Sequence, residues 1–207
     1  MNETESFFFE GCAQEPLSER AGYALEKIFQ RFDQFSKAKL IEKYRGVFDL
    51  PMDPTASIWK EVDELEDLLK LNDRVGVLTG RRVEREHAQL RAVLPSAGRY
   101  MSWHRDVHRY NPVFSGRPIE LTGDIPVKTK VILYPKEASN RETLQLLPGS
   151  HLAHFSNKLI DMGINRLSKK KISLKPGNVV YFRSDIYHHT PAIKAKEGLA
   201  RLIFIYS

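Results

Sequence analysis

The sequence predicts a mainly β protein with helices at its N-terminal end. Three observations lead there. Two amphipathic helical patterns fill residues 17–71. From about Val75 onward, short apolar runs rich in β-branched residues alternate with turn residues, and no long helical pattern intervenes. No internal repeat, low-complexity tract or linker interrupts the 207 residues. One domain is therefore expected over 1–207, with a helical layer over 1–74 packed outside a β barrel or sandwich over 75–207.

Taken in order, residues 17–45 read as the first helix. Leu17, Ala21, Ala24, Leu25, Ile28, Phe29, Phe32 and Phe35 recur at three- and four-residue steps with charges between them. Ser18-x-x-Ala21 is not a capping box, so the start is not fixed by sequence. The second helix is expected from Asp53-Pro54, an N-cap residue before a proline, through Ile58, Val62, Leu65 and Leu69 to about Leu71. Its acidic run (Glu61, Asp63, Glu64, Glu66, Asp67) reads as a solvated face.

Strands are expected at 75–78, 90–94, 100–104, 127–133, 143–147, 172–174, 179–182 and 201–206, while 81–90 fits either a helix or a strand. Residues 107–126 hold Asn111-Pro112, Ser115-Gly116, Pro118 and Gly123, a loop too long for a hairpin. Residues 152–171 form a second polar region ending in Lys169-Lys170-Lys171.

The net charge of +6 is unevenly spread. Residues 1–75 hold 10 Lys/Arg against 16 Asp/Glu, and residues 76–207 hold 22 against 10. The second half attracts anions in general. Its aromatics are not interleaved with the cations as on a nucleic-acid stacking platform, which makes nucleic acid a rival rather than the leading partner. The single cysteine, Cys12, excludes an internal disulfide and a Cys-based zinc site. No apolar run approaches the ~20 residues that span a bilayer. The acidic start Met1-Asn2-Glu3-Thr4-Glu5 is unlike a secretory signal, so a cytoplasmic location is the default expectation.

Chemistry concentrates at Trp103-His104-Arg105-Asp106. A histidine and a carboxylate two residues apart on an extended segment project from the same face and can offer a nitrogen and an oxygen to one divalent ion. A distal histidine stands in Tyr187-His188-His189-Thr190. Two histidines and one carboxylate on one face of a metal leave open positions opposite, as in non-haem Fe(II) oxygenases. Neighbours on a strand point to opposite faces, so only one of His188 and His189 can join this set.

Three segments together resemble the phytanoyl-CoA dioxygenase family of Fe(II)- and 2-oxoglutarate-dependent oxygenases. They are Trp103-His104-Arg105-Asp106; Thr143-Leu144-Gln145-Leu146-Leu147-Pro148-Gly149-Ser150-His151; and Pro176-Gly177-Asn178-Val179-Val180-Tyr181-Phe182, followed by His188 and Arg201. The resemblance covers residues 90–207 and departs at Asn178, where the family has aspartate, and at Glu142, where a small residue is common. It implies a double-stranded β-helix, a cupin-like jelly-roll barrel with iron at one open end. His104, Asp106 and His188 match the metal ligands. The alignment on Phe182 favours His188 over His189. The presence of Asp106 argues against the halogenating relatives.

The resemblance further implies that Arg201 holds the far carboxylate of 2-oxoglutarate. Tyr100, Trp103 and the 107–126 loop are expected as pocket wall beside the cofactor, with Trp103 alternatively a core residue. A guanidinium fork suits a carboxylate, and among apolar neighbours such as Leu202 and Phe204 a bound dicarboxylate would supply its counter-charge. His151 is expected to stabilise its turn or line the site rather than bind iron, and His87, His108 and His154 to be surface or loop residues. The implied activity is that of a dioxygenase using Fe(II), 2-oxoglutarate and O2, hydroxylating a small, anionic or anion-bearing substrate and releasing succinate and CO2. The rivals are a related oxygenase acting on a protein side chain, a non-catalytic β-barrel binding module, and a nucleic-acid-binding domain.

Overall fold

A computed structural model describes residues 2–34, 39–44, 46–53, 55–94, 101–106, 127–136, 138, 143–152, 157–191, 193 and 198–207, without the side chains of residues 44, 101, 102 and 158. Along the chain run α1 (Glu3–Glu10), β1 (Cys12–Pro16), α2 (Glu19–Asp33), β2 (Ile41–Tyr44), β3 (Val47–Asp49), α3 (Ser57–Leu69), α4 (Leu71–Thr79), β4 (Arg85–Val93) and β5 (Met101–His104). There follow β6 (Thr129–Leu133), β7 (Gln145–Leu146), a 3-10 turn (Ser150–Leu152), α5 (Lys158–Ser168), β8 (Ile172–Ser173), β9 (Asn178–Arg183), β10 (His188–Thr190) and β11 (Leu199–Tyr206).

The strands form two antiparallel sheets. One has seven strands in the order β1-β9-β6-β11-β4-β3-β2, and the other has four in the order β5-β10-β7-β8. Strand β11 shows how they are arranged. Leu202, Phe204 and Tyr206 pack with the helices α2, α3 and α4, whereas Leu199, Ile203 and Ile205 pack with Leu146 of the small sheet. A strand buried on both faces reads as an unbroken apolar run, which is why 201–206 was legible. The space between the two sheets is a second core, and Arg201 shares the side of β11 that faces it by strict alternation with Ile203 and Ile205.

Helices and antiparallel sheet share the described chain, so the architecture is mixed rather than mainly β. Two stacked antiparallel sheets are consistent with a jelly roll, but among the described residues they do not close into a barrel. No helix there is long and apolar enough to cross a membrane.

Several expected elements are corrected. The strand at 75–78 is part of α4, because Leu71, Val75 and Leu78 fall at helical spacing and are all buried. The first helix stops at Asp33, and Ile41–Tyr44 of the expected helix is instead strand β2. Ser18 does cap α2, its hydroxyl accepting from the Ala21 N–H at 3.3 Å. Asp53 does not cap α3: Ala56 holds that position, and Asp53 instead accepts hydrogen bonds from the Thr55 N–H and hydroxyl at 2.9 and 2.7 Å in the turn before it.

Lys70, at φ 49°, ends α3 and begins α4. The 81–90 segment resolves into strand from Arg85. Helix α5 occupies part of the polar region 152–171. Strands β1, β2 and β3 come from the expected helical layer and complete the large sheet at both edges. The 107–126 loop lies outside the described residues.

Candidate metal centre

Strands β5 and β10 are antiparallel neighbours, and His104 and His188 are direct partners in their register. Partners across an antiparallel ladder point to the same face. Their rings accordingly meet, with centroids 4.2 Å apart. Asp106 follows two residues after His104, its backbone N–H fixed to the Ser184 carbonyl at 2.9 Å. Its Oδ1 lies 3.8 Å from His104 Nε2 and its Oδ2 lies 3.4 Å from His188 Nε2. One ligand atom from each of the three residues falls within 4.8 Å of the others, close enough for all three to hold one ion.

The second nitrogen of His188 has its own anchor. Nδ1–H donates to the Ile186 carbonyl at 3.0 Å, which turns Nε2 toward the Asp106 side of the site, where an ion would take the place of its proton. Burial by itself would raise the Asp106 carboxyl. The hydrogen bond and positive charge of His188, and then the Lys130 ammonium, outweigh burial and hold it well below the usual carboxylate range. The carboxylate is thus ionised at neutral pH, the form a metal requires. Two imidazoles and one carboxylate suit Fe(II) in chemistry and in number, with one side left for other ligands.

Arg201 extends from β11 into the space between the sheets, where its Nη1 donates to Thr190 Oγ1 at 3.3 Å. Thr190 belongs to the same strand as His188 and lies on its side. Arg201 is only 4% exposed. Its direct partner in β4 is Arg91, whose guanidinium is gripped at both ends by Asp49, at 2.6 and 2.8 Å. Two arginines therefore stand side by side across the ladder, and Asp49 neutralises Arg91.

His189 points the other way, its ring 5.3 Å from that of Trp103. Trp103 therefore occupies the sheet face opposite to His104 and His188. Tyr100 lies outside the described residues, as do His108 and His154. His151 Nε2 sits 2.6 Å from the Phe8 carbonyl oxygen, so the Pro-Gly-Ser-His turn clasps the end of α1. His87 is part of β4 and bonds Gln89 at 3.1 Å; burial, the largest influence on it, lowers its pKa.

Of two residues that sequence reasoning missed, one touches this constellation and the other lies behind it. Lys130, on β6, brings Nζ within 2.8 Å of Asp106 Oδ2. Asp161, on α5, is fully buried behind the triad-bearing strands with Arg105. No local pattern marks either one, because each depends on a partner from a distant segment.

No protein-family model and no curated protein matches the sequence. Solved structures do match it over nearly all its length. EctD from S. alaskensis, crystallised with 2-oxoglutarate and 5-hydroxyectoine, shares 14% identity at TM-score 0.68, covering 99% of this chain and 74% of that one. HygX from Streptomyces hygroscopicus, crystallised with nickel and 2-oxoglutarate, shares 14% at TM-score 0.67, covering 100% and 87%. The non-haem α-ketoglutarate-dependent epimerase SnoN from nogalamycin biosynthesis shares 12% at TM-score 0.67, covering 99% and 80%. At these identities the likeness is one of fold.

Proposed function

We propose that this chain is an Fe(II)/2-oxoglutarate-dependent dioxygenase of phytanoyl-CoA dioxygenase type, built on a double-stranded β-helix, that hydroxylates a small substrate. The observation that carries the reading is the convergence of His104, Asp106 and His188 within 4.8 Å, assembled from segments whose sequence already resembled that family. The structural neighbours support it: HygX is crystallised with nickel and 2-oxoglutarate together, and EctD with 2-oxoglutarate in one structure and with Fe in another.

When bound, iron with 2-oxoglutarate supplies the activation of O2, yielding succinate, CO2 and an oxidised substrate. The chain's own residues do the rest. His104, Asp106 and His188 would hold the ion. The Ile186 carbonyl fixes the His188 ring so that Nε2 faces Asp106. Arg201, seated by Thr190, takes the far carboxylate of 2-oxoglutarate, and the Phe182 ring packs against His188 with centroids 5.3 Å apart.

A neighbour that is an epimerase favours a second reading, an oxygenase of the same construction whose outcome is not hydroxylation. An anionic substrate or anionic handle is part of the proposal. Lys170 and Lys171 after α5 are exposed, and the half that bears the motif carries the positive excess. Arg109 and Arg117 of the 107–126 loop lie outside the described residues.

The test is Fe(II)-dependent conversion of 2-oxoglutarate to succinate by the purified chain, followed by matched neutral and anionic candidates across ionic strengths. Turnover lost in His188→Ala and kept in His189→Ala supports the reading. No Fe(II)-dependent succinate under any condition overturns it. Anion steering fades above ~0.1 M salt, where the Debye length is ~10 Å, so a neutral best substrate with salt-insensitive kinetics removes the anionic handle.

A further inference from the structure

We propose that Asp161 is a positioning residue for the metal centre, gripping from α5 both chain segments that deliver the three ligands. The inference rests on the metal-binding reading above. Arg105 stands between His104 and Asp106, and Tyr187 immediately precedes His188. Successive residues of an extended chain point to opposite sides. With the three ligands turned toward one another, Arg105 and Tyr187 are sent behind the site, and there they meet.

The Arg105 guanidinium lies over the Tyr187 ring, 4.2 Å from its centroid. Both reach Asp161. Arg105 Nη2 is 3.3 Å from Asp161 Oδ2, and the Tyr187 hydroxyl donates to the same oxygen at 2.5 Å. Asn165, one helical turn on, steadies the carboxylate by donating from Nδ2 to Oδ1 at 3.0 Å. Ser150 of the Pro-Gly-Ser-His turn joins the same two segments from the side. Its carbonyl accepts from Arg105 Nη2 at 2.8 Å, and its hydroxyl accepts from the Tyr187 backbone N–H at 2.8 Å.

The Arg105 and Asp161 side chains are both 0% exposed. A buried ion pair contributes little net stability, because desolvation offsets most of the attraction. Geometry is another matter. A planar fork stacked on a ring and bonded to a fixed carboxylate has few alternative arrangements. Arg105 and Tyr187 are each one peptide unit from a ligand, so their placement sets the separation of His104 and Asp106 from His188 before any ion arrives. Outer partners of metal ligands commonly change metal affinity by 10–100-fold when removed.

The experiment titrates Co(II) into the full metal-free chain, reading affinity and the d–d absorption bands, with thermal melts alongside. Asp161→Asn strands the Arg105 charge and risks failure to fold. Tyr187→Phe leaves that ion pair intact and deletes one hydroxyl. Tyr206→Phe is the control, since its buried hydroxyl bonds Glu66 on the helix-facing side of β11, away from the triad. The expected result is roughly tenfold weaker Co(II) binding with displaced bands in Tyr187→Phe. Tyr206→Phe should keep native affinity and bands whatever it loses in melting temperature. Native affinity and bands in Tyr187→Phe overturn the inference, and so does equal weakening in Tyr206→Phe, which marks general loosening. A native chain that binds Co(II) no better than His188→Ala overturns the metal reading itself, and with it this inference.

Discussion

Lys130 Nζ lies 2.8 Å from Asp106 Oδ2, so one oxygen of the proposed metal-binding carboxylate is held by an ammonium from a different strand. With Oδ2 engaged, Oδ1 is the oxygen left for an ion, and the carboxylate is held to one metal bond. Lys130→Met should free Oδ2 to chelate. Removing a like charge beside the ion and adding a ligand both favour binding, so divalent-ion affinity should rise about two- to fivefold, the scale of a partly exposed ion pair. The 2-oxoglutarate requirement should rise as well, because a chelating carboxylate narrows the open side. Calorimetric titration with Mn(II) checks the first effect; a fall in affinity would show that Lys130 orients Asp106 rather than restraining it.

His188 and His189 make the sharpest pair of substitutions. His188→Ala should abolish metal binding and succinate formation. His189→Ala should leave both near native while losing the ring contact with Trp103, worth about 0.5–1.5 kcal/mol. Metal analysis of the two purified variants decides it, and loss in His189→Ala with binding intact in His188→Ala would exchange their roles.

The alternation that separates these two histidines was legible in the sequence, as were most strands after residue 85, because buried strands announce themselves by apolar and β-branched runs. Strand β1 was not, since Cys12-Ala13-Gln14-Glu15-Pro16 is an edge strand with polar residues and a terminal proline. The Val75-Gly76-Val77-Leu78 run fits a strand and a helix equally, and only burial of Leu71, Val75 and Leu78 together decides for helix. At the site, the three residues that converge, His104, Asp106 and His188, were readable because two share a local spacing and the third follows a motif-like segment. Lys130, Asp161 and Tyr187 were not, because Arg105 meets Asp161 across 56 residues of chain and nothing local encodes that meeting.

Arg201→Ala should raise the 2-oxoglutarate requirement roughly tenfold or more while leaving metal affinity within about twofold. A charged hydrogen bond is worth ~1.5–3 kcal/mol, and its loss leaves the bound carboxylate without its fork. Arg201→Lys should recover only part of the loss, since an ammonium makes no bidentate pair. Initial rates against 2-oxoglutarate concentration test this, and an unchanged requirement in Arg201→Ala would take the residue out of the site.

Cys12 gives the chain an alkaline weakness. Burial, aided by the Glu10 charge, pushes its thiol up to about 12, whereas an unfolded thiol titrates near ~8.5. A raised pKa in the folded state means stability fully present below the unfolded value and lost as pH climbs toward the folded one. Between pH 8 and pH 10.5 the native chain should therefore lose on the order of 2 kcal/mol more than Cys12→Ala. Tyr181 and Tyr206, both pushed upward chiefly by burial, are common to the two proteins and cancel in the comparison. Urea midpoints at the two pH values measure the difference; parallel losses would mean that the thiol is solvated.

One substitution should have opposite signs at two glycines. Gly11 ends α1 at φ 72°, a left-handed conformation that costs other residues about 1–2 kcal/mol. A Cβ there would stand 2.6 Å from His151 Nδ1 and 2.8 Å from Cε1, against the ring that clasps the Phe8 carbonyl. Crowding of that kind adds about 1–3 kcal/mol, so Gly11→Ala should lower the melting temperature by roughly 5–15 °C in a chain of this size. Gly22 lies inside α2 with nothing within 4 Å of the same added atom, and a helical alanine there restricts the unfolded chain without a clash. Gly22→Ala should therefore stabilise by about 0.5–1 kcal/mol. Thermal melts of the two variants provide the check, and a tolerated Gly11→Ala would mean that the Pro-Gly-Ser-His turn does not bear on α1 in solution.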